Sequence, residues 1–196
     1  MAINVSVFHK SNVVDSCSLW NLLSSATLYR AALSNACSFC CTTYVEYECL
    51  HKPRTKESHA DNRIRKRLVE ECHSGKVQVH SLEIADLQEV EVLRSRKCLS
   101  MGELSSMAFA RKTNQAFLTD DQKARKLAAT ILESSRVQTT PHLLGWLCFV
   151  GALGGEHMPE ILCDHENHDR PLKPYFESAF CEALRCRTLM ARDPEK

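Results

Sequence analysis

Short runs typical of β-strands alternate with longer segments of helical periodicity along the whole chain. The short runs lie at about residues 12–14, 37–41, 76–80, 115–118 and 137–139. The first, second and fourth are mainly apolar, and 76–80 alternates between apolar and polar residues. Each run is bounded by polar or small residues, as strands usually are. Between the runs, apolar residues recur every three or four positions, which is the spacing of an amphipathic helix. Strands that alternate with helices predict an α/β fold with a mostly parallel central sheet.

Several of the predicted helices have clear start signals. Ser100 followed by Glu103 is a capping box, and Pro141 fits the first helical position after Thr140. A further helix is predicted between the third and fourth strands, where the apolar positions are Ile84, Leu87, Val90 and Leu93.

The C-terminal part of the chain differs from the rest. Residues 154–174 form a polar, proline-containing stretch that predicts a long connection, and a helix is expected over Tyr175–Met190. We therefore expect a sandwich domain over residues 1–140 and a helical extension over residues 141–196 that packs on the same domain.

Acidic residues follow the predicted strands closely. Asp15 ends the first strand, Asp120 and Asp121 end the fourth, and Glu48 lies on the helix after the second. Glu103 begins the helix before the fourth strand. Because the carboxyl ends of parallel strands meet at one edge of a sheet, these side chains are expected near one another. Carboxylate oxygens are the ligands that Mg²⁺ or Mn²⁺ prefers.

Each acid also has a local interpretation. Asp15 and Asp121 can cap the helices that follow them, Glu103 can complete its capping box, and Glu48 can face solvent. Asp120 is nearer to the strand end than Asp121. We therefore expect Asp120 to be the stronger metal ligand and Asp121 to act as a cap or outer-shell partner. The predicted metal ligands are Asp15, Glu103, Asp120 and Asp121, and the predicted catalytic residues are Asp15, Glu48, Glu103 and Asp120.

A basic helix face is predicted within Asp61–His73. Because the formal net charge of the chain is only +1, any contact with nucleic acid must come from such a local cluster. Arg63, Lys66 and Arg67 are the candidates for contacting a phosphate backbone, and a solvated helix face is the alternative.

Four segments resemble the PIN domain family of metal-dependent nucleases. They are VVDSCSLWNLL around Asp15, TTYVEYECL around Glu48, MGELSSMAFA around Glu103 and AFLTDDQKAR around Asp120. The resemblance covers about residues 12–140. It implies a three-layer α/β/α sandwich whose acids bind Mg²⁺ or Mn²⁺ and cleave RNA. Many members of the family are toxins of toxin–antitoxin pairs, so a toxin or defence role and a small inhibitory protein partner are expectations, and a homodimer is open.

Other functions remain open at this point. A PIN-like scaffold could bind nucleic acid without cleaving it, and DNA could replace RNA as the substrate. A zinc site is a weaker alternative, with Cys37 and Cys40 or the Cys163, His165 and His168 group as ligands.

The cysteine content bears on the compartment. The chain has eleven cysteines, and residues 1–12 lack the basic start and long apolar segment of a secretory signal. Free thiols in the reducing cytoplasm are therefore expected. The longest apolar run, residues 143–153, is too short to span a membrane.

Overall fold

One parallel sheet forms the centre of the protein in the computed structural model, which describes residues 4–53, 58–83, 85–86, 88, 92 and 99–192. Its strands are β1 (Ser11–Val14), β2 (Ser38–Thr42), β3 (Val77–His80), β4 (Ala116–Leu118) and β5 (Val137–Gln138). The order is β3-β2-β1-β4-β5, and all four neighbouring pairs are parallel. All five strands therefore end at the same edge. The predicted strand boundaries are confirmed to within one residue.

Helices connect the strands. Within the described residues they are α1 (Ser16–Ser24), α2 (Ala26–Ser34), α3 (Thr43–Leu50), α4 (His59–His73), α5 (Met101–Thr113), α6 (Gln122–Ala128), α7 (Thr140–Phe149), α8 (Met158–Asn167) and α9 (Lys173–Arg192). Two 3₁₀ turns, Ser134–Arg136 and Gly155–His157, precede β5 and α8. The four residues from which a helix after β3 is predicted, Ile84, Leu87, Val90 and Leu93, lie outside the described residues.

The sheet separates two hydrophobic layers, because successive strand residues point to opposite faces. Val14 and Leu118 contribute to a large cluster with α1, α2, α4, α7 and α9. Their neighbours Val13 and Phe117 contribute to a second cluster with α5 and α6. The inner strands β1 and β4 are thus apolar on both faces, as in sheets covered on both sides. The predicted three-layer α/β/α sandwich is therefore confirmed.

The C-terminal segment packs on the larger hydrophobic layer. Leu143, Ile161 and Phe176 are fully buried there. The prediction of a long connection over 154–174 is wrong, since α8 occupies its middle. Pro159 is one of the prolines in this stretch, but it lies in the first turn of α8, where its missing N–H breaks no helical hydrogen bond. In the described part of the chain, no helix is long and apolar enough to cross a membrane.

Candidate active site at the carboxyl edge of the sheet

Asp15 lies at the end of β1 and is completely buried. Its Oδ1 accepts a hydrogen bond from the Ser18 backbone at 2.7 Å, which caps α1. Its Oδ2 accepts a hydrogen bond from the Thr119 hydroxyl at 2.5 Å. The predicted capping role is confirmed. Burial nevertheless raises the pKa of Asp15 to about 7, and the negative charge of Asp120 adds to the shift, against these hydrogen bonds.

Asp120 and Asp121 are adjacent but have different partners. Asp120 accepts hydrogen bonds from the Asn21 side chain at 2.8 Å and from the backbone and hydroxyl of Thr140 at 2.9 and 2.6 Å. Asp121 is the N-cap of α6 and accepts from the backbones of Lys123 and Ala124 at 2.7 and 2.8 Å. The expectation that Asp121 caps the helix is confirmed. Asp120 instead links α1 to the start of α7, next to the end of β4.

Glu48 reaches out of α3 toward two other elements. Its Oε1 accepts a hydrogen bond from the Gly102 backbone at 3.2 Å, and its Oε2 accepts one from the Ser16 hydroxyl. A Cβ at Gly102 would lie 2.9 Å from the Glu48 Cδ and closer still to its carboxylate oxygen. Only glycine therefore admits the carboxylate at this point. Glu48 is half-buried and bound within the protein, so the alternative of a solvated glutamate is wrong.

Glu103 completes the predicted capping box at the start of α5. Its carboxylate accepts a hydrogen bond from the Ser100 backbone at 2.7 Å, and its own N–H donates to the Ser100 hydroxyl at 3.2 Å. Burial raises the pKa of Glu103, and the charges of Asp121 and Glu48 raise it further. The capping role is confirmed, and two other predicted acids lie within electrostatic range.

The electrostatics place the five acids around one region. In addition to burial, the charge of Asp120 raises the pKa of Asp15, and the charges of Asp121 and Glu48 raise the pKa of Glu103. Cys17 lies beside the same region, since its thiol is within electrostatic range of three of these acids: Asp15, Asp120 and Asp121. The structure thus brings the predicted residues to one edge of the sheet.

The side chains are nevertheless held apart by their local hydrogen bonds. Within the described ranges, no three His, Cys, Asp or Glu side chains converge on a point where they could hold an ion together. The donors fit Mg²⁺ or Mn²⁺ in kind, because all are carboxylate oxygens. The fully buried Asp15 is the clearest sign of a fit, since a buried carboxylate beside a second one favours a cationic partner.

An open groove borders this region on the side of Glu48. It has a volume of about 490 Å³ and is lined by Thr43, Tyr44, Tyr47, Glu48, Lys52, Ser100 and Met101. Tyr47 is 53% exposed, and its ring lies 6.3 Å from that of His51. The groove thus combines an exposed aromatic ring, a lysine and one of the candidate catalytic carboxylates.

The basic helix α4 does not present its cations uniformly. The Arg67 guanidinium donates to the backbone oxygen of Leu23 and is half-buried. Arg63 and Lys66 are exposed. Arg63 and Arg67 line a small cavity beside α8, whereas Lys66 does not. The prediction that all three contact a phosphate backbone stays a prediction.

The residues that hold the acids were not identified from the sequence. Asn21, Thr119, Thr140 and Ser16 each donate a hydrogen bond to one of the carboxylates. A signal was available only for Asn21, because a single polar residue within the run LWNLL is an unusual choice for a buried helix face.

The zinc alternative gains no support. Cys37 and Cys40 are buried, and burial raises the pKa of each thiol to about 11, which disfavours the thiolate that zinc requires. Both ring nitrogens of His165 already lie near the backbone oxygens of Ile161 and Asn21, at 2.8 and 2.9 Å. All ten cysteines in the described residues are free thiols.

Comparisons with known proteins add no family assignment. No protein-family model matches the chain, and a search of curated proteins found no match.

Proposed function

We propose that the protein is a metal-dependent endoribonuclease. The observation that carries this proposal is the buried Asp15 at the end of β1, beside Asp120 at the end of β4. Burying a carboxylate next to another is unfavourable unless a cation or a proton neutralises it. The edge formed by the ends of parallel strands is also where open α/β sheets bind ligands. The resemblance of the four acidic segments to PIN nucleases points to the same reaction.

Each acid has a stated role in this proposal. Asp15, Glu103 and Asp120 provide oxygen ligands, and Asp121 supports them from its capping position. When bound, Mg²⁺ or Mn²⁺ would activate water and stabilise negative charge on the phosphodiester. Glu48 orients the attacking water through a carboxylate that Ser16 and Gly102 hold in place. The products are a 5′-phosphate and a 3′-hydroxyl.

The residues of the groove beside Glu48 are suited to binding a single-stranded nucleic acid as the substrate. Bases of single strands stack on exposed aromatic rings, and Tyr47 offers one next to a candidate catalytic carboxylate. Lys52, in the same groove, would neutralise a neighbouring phosphate. These features do not select RNA over DNA, and the choice of RNA follows the family resemblance.

A cleavage assay on matched RNA and DNA strands tests the proposal. Purified protein with Mn²⁺ should cleave single-stranded RNA, and excess chelator or Asp15→Asn should abolish cleavage. Cleavage of DNA alone would establish the DNA-directed alternative. Full activity of Asp15→Asn, or activity in excess chelator, would contradict the proposal.

A non-catalytic scaffold is the second candidate. It is favoured by the local hydrogen bonds that hold the described carboxylates apart. A scaffold would bind single strands equally well with and without Mn²⁺ and would cleave none of them. The same assay, combined with a binding measurement, therefore separates the two functions.

A further inference from the structure

A small polar cavity lies between α4 and the end of α8, apart from the groove at Glu48. Its volume is about 190 Å³, and its lining is Ser24, Arg63, Ile64, Arg67, Asp164, Asn167 and His168. A cavity of this size holds several water molecules, so it has room for one tetrahedral oxyanion. Its outer wall comes from the C-terminal segment that lies beyond the region of family resemblance.

Positive charge predominates around this cavity. Arg63 and Arg67 line it, and Arg170 lies within electrostatic range of His168. Asp164 is the one carboxylate among the lining residues. Arg170 is itself paired with Asp61 at 3.8 Å. Among the lining residues, the two arginines therefore carry one positive charge more than Asp164 can neutralise.

His168 provides independent evidence that a polar group at this cavity lacks a hydrogen-bond partner within the described part of the protein. Its Nδ1 is buried and has no hydrogen-bond partner among the described residues. Burial lowers the pKa of His168, and the charges of Arg63, Arg170 and Arg67 lower it further, against Asp164. A bound anion would stabilise the charged arginines and the protonated imidazole, because it carries the opposite charge.

We propose that this cavity binds a phosphate group, with Arg63 and His168 as its principal ligands. Arginine is suited to this role because its planar guanidinium can donate two parallel hydrogen bonds to a phosphate. Arg67 contributes charge, while one of its nitrogens stays bonded to the Leu23 carbonyl. The phosphate belongs either to a free inorganic ion or to the end of a nucleic acid. The proposal does not depend on catalysis at Asp15.

Calorimetric titration of the full chain with inorganic phosphate, at constant ionic strength, tests the proposal. The wild-type protein should bind saturably, and Arg63→Gln should weaken binding by at least about tenfold, as expected for loss of a charge-assisted hydrogen bond. His168→Gln should also weaken it. Because Arg63 is exposed, its substitution should leave thermal unfolding in phosphate-free buffer unchanged and so decides the test even if His168→Gln unfolds.

Lys66→Gln is the matched control, since it removes one charge from an exposed position of the same helix outside the cavity. It should bind phosphate like the wild type. Absence of saturable binding, or an equal loss in Lys66→Gln and Arg63→Gln, would overturn the proposal.

A second titration in excess chelator separates the two sources of phosphate. Tighter binding of a 5′-phosphorylated single strand than of its 5′-hydroxyl twin, with competition by phosphate, assigns the cavity to nucleic-acid ends. Equal binding of the two strands, with phosphate bound at Arg63, assigns it to the free ion.

Discussion

The hydroxyl of Thr119 donates a hydrogen bond of 2.5 Å to Oδ2 of Asp15 and so joins the ends of β4 and β1. This bond favours the ionised carboxylate, yet burial outweighs it and raises the pKa of Asp15 to about 7. Without a cation, Asp15 therefore stays protonated up to about pH 7, well above the ordinary range of an aspartate. A divalent metal would reverse that preference, because it requires the carboxylate.

The raised pKa of Asp15 predicts that the free energy of unfolding of the metal-free protein decreases as pH rises. The unfolded chain ionises Asp15 near its ordinary value of 3.8, whereas the folded protein holds the proton to about 7. Stability associated with Asp15 is therefore fully present below pH 3.8 and lost as pH rises through about 7. The loss is on the order of 4 kcal/mol. Urea unfolding in chelator, measured across this range, checks it.

Asp15→Asn provides the comparison for this measurement, since the amide cannot ionise and its oxygen can still accept from the Ser18 backbone. In chelator, the variant should gain stability relative to the wild type as pH rises. Parallel stability curves for the two proteins would show that Asp15 titrates normally in the fold.

Asp120 and Asp121 should respond differently to the same substitution. Asp121 accepts two backbone hydrogen bonds at the start of α6, and asparagine caps a helix nearly as well as aspartate. Asp121→Asn should therefore keep most metal affinity. Asp120→Asn removes the charge beside Asp15 and should lose Mn²⁺ binding and cleavage together. If Asp121→Asn alone lost Mn²⁺ binding, Asp121 would be the metal ligand and Asp120 the outer-shell partner.

Gly102→Ala should displace the Glu48 carboxylate without unfolding the protein. The added Cβ would collide with the end of a flexible side chain, which can move away at little cost. Misplacing a catalytic group by about 1 Å can lower the rate by roughly a hundredfold. Single-turnover cleavage should fall accordingly, while the melting temperature changes little.

Gly155→Ala is a suitable control for that experiment, because its Cβ would meet Phe180 at an ordinary distance of 3.6 Å. Its cleavage rate should equal that of the wild type. An unchanged rate in Gly102→Ala would remove Glu48 from the catalytic set.

Tyr47→Ala should weaken binding of single-stranded RNA in chelator. Loss of one base–aromatic stack costs about 1–3 kcal/mol, whereas Tyr47→Phe keeps the ring and should bind normally. Tyr175→Ala is the control, since Tyr175 is 59% exposed on α9 and does not line the groove. Equal anisotropy titrations for Tyr47→Ala and Tyr175→Ala would exclude the groove as a binding site.

The sequence predicts the inner strands of the sheet well because they are buried on both faces. Val13–Val14 and Ala116–Leu118 are apolar at successive positions, and few other structures accommodate that pattern. The carboxyl-edge placement of Asp15 and Asp120 follows from strand direction alone. The sequence does not predict the helix α8, because polar residues cover its exposed side and Pro159 lies in its first turn.

The contacts that hold the acids could not be predicted, because they depend on distant parts of the chain. The hydrogen bonds from Thr119 to Asp15 and from Asn21 to Asp120 span 104 and 99 residues. The close approach of Glu48 to Gly102 likewise depends on how α3 and α5 pack. Spacing within one segment contains no information about such contacts.

Equilibrium binding of Mn²⁺ tests the central claim most directly. Titration of the metal-free protein above pH 7, followed by calorimetry, should show saturable binding to the wild type and none to Asp15→Asn. At one hundred times the dissociation constant, the wild-type fold should gain about 2.7 kcal/mol of stability. Equal Mn²⁺ binding by the two proteins, or none by the wild type, would contradict a metal-dependent nuclease site at Asp15.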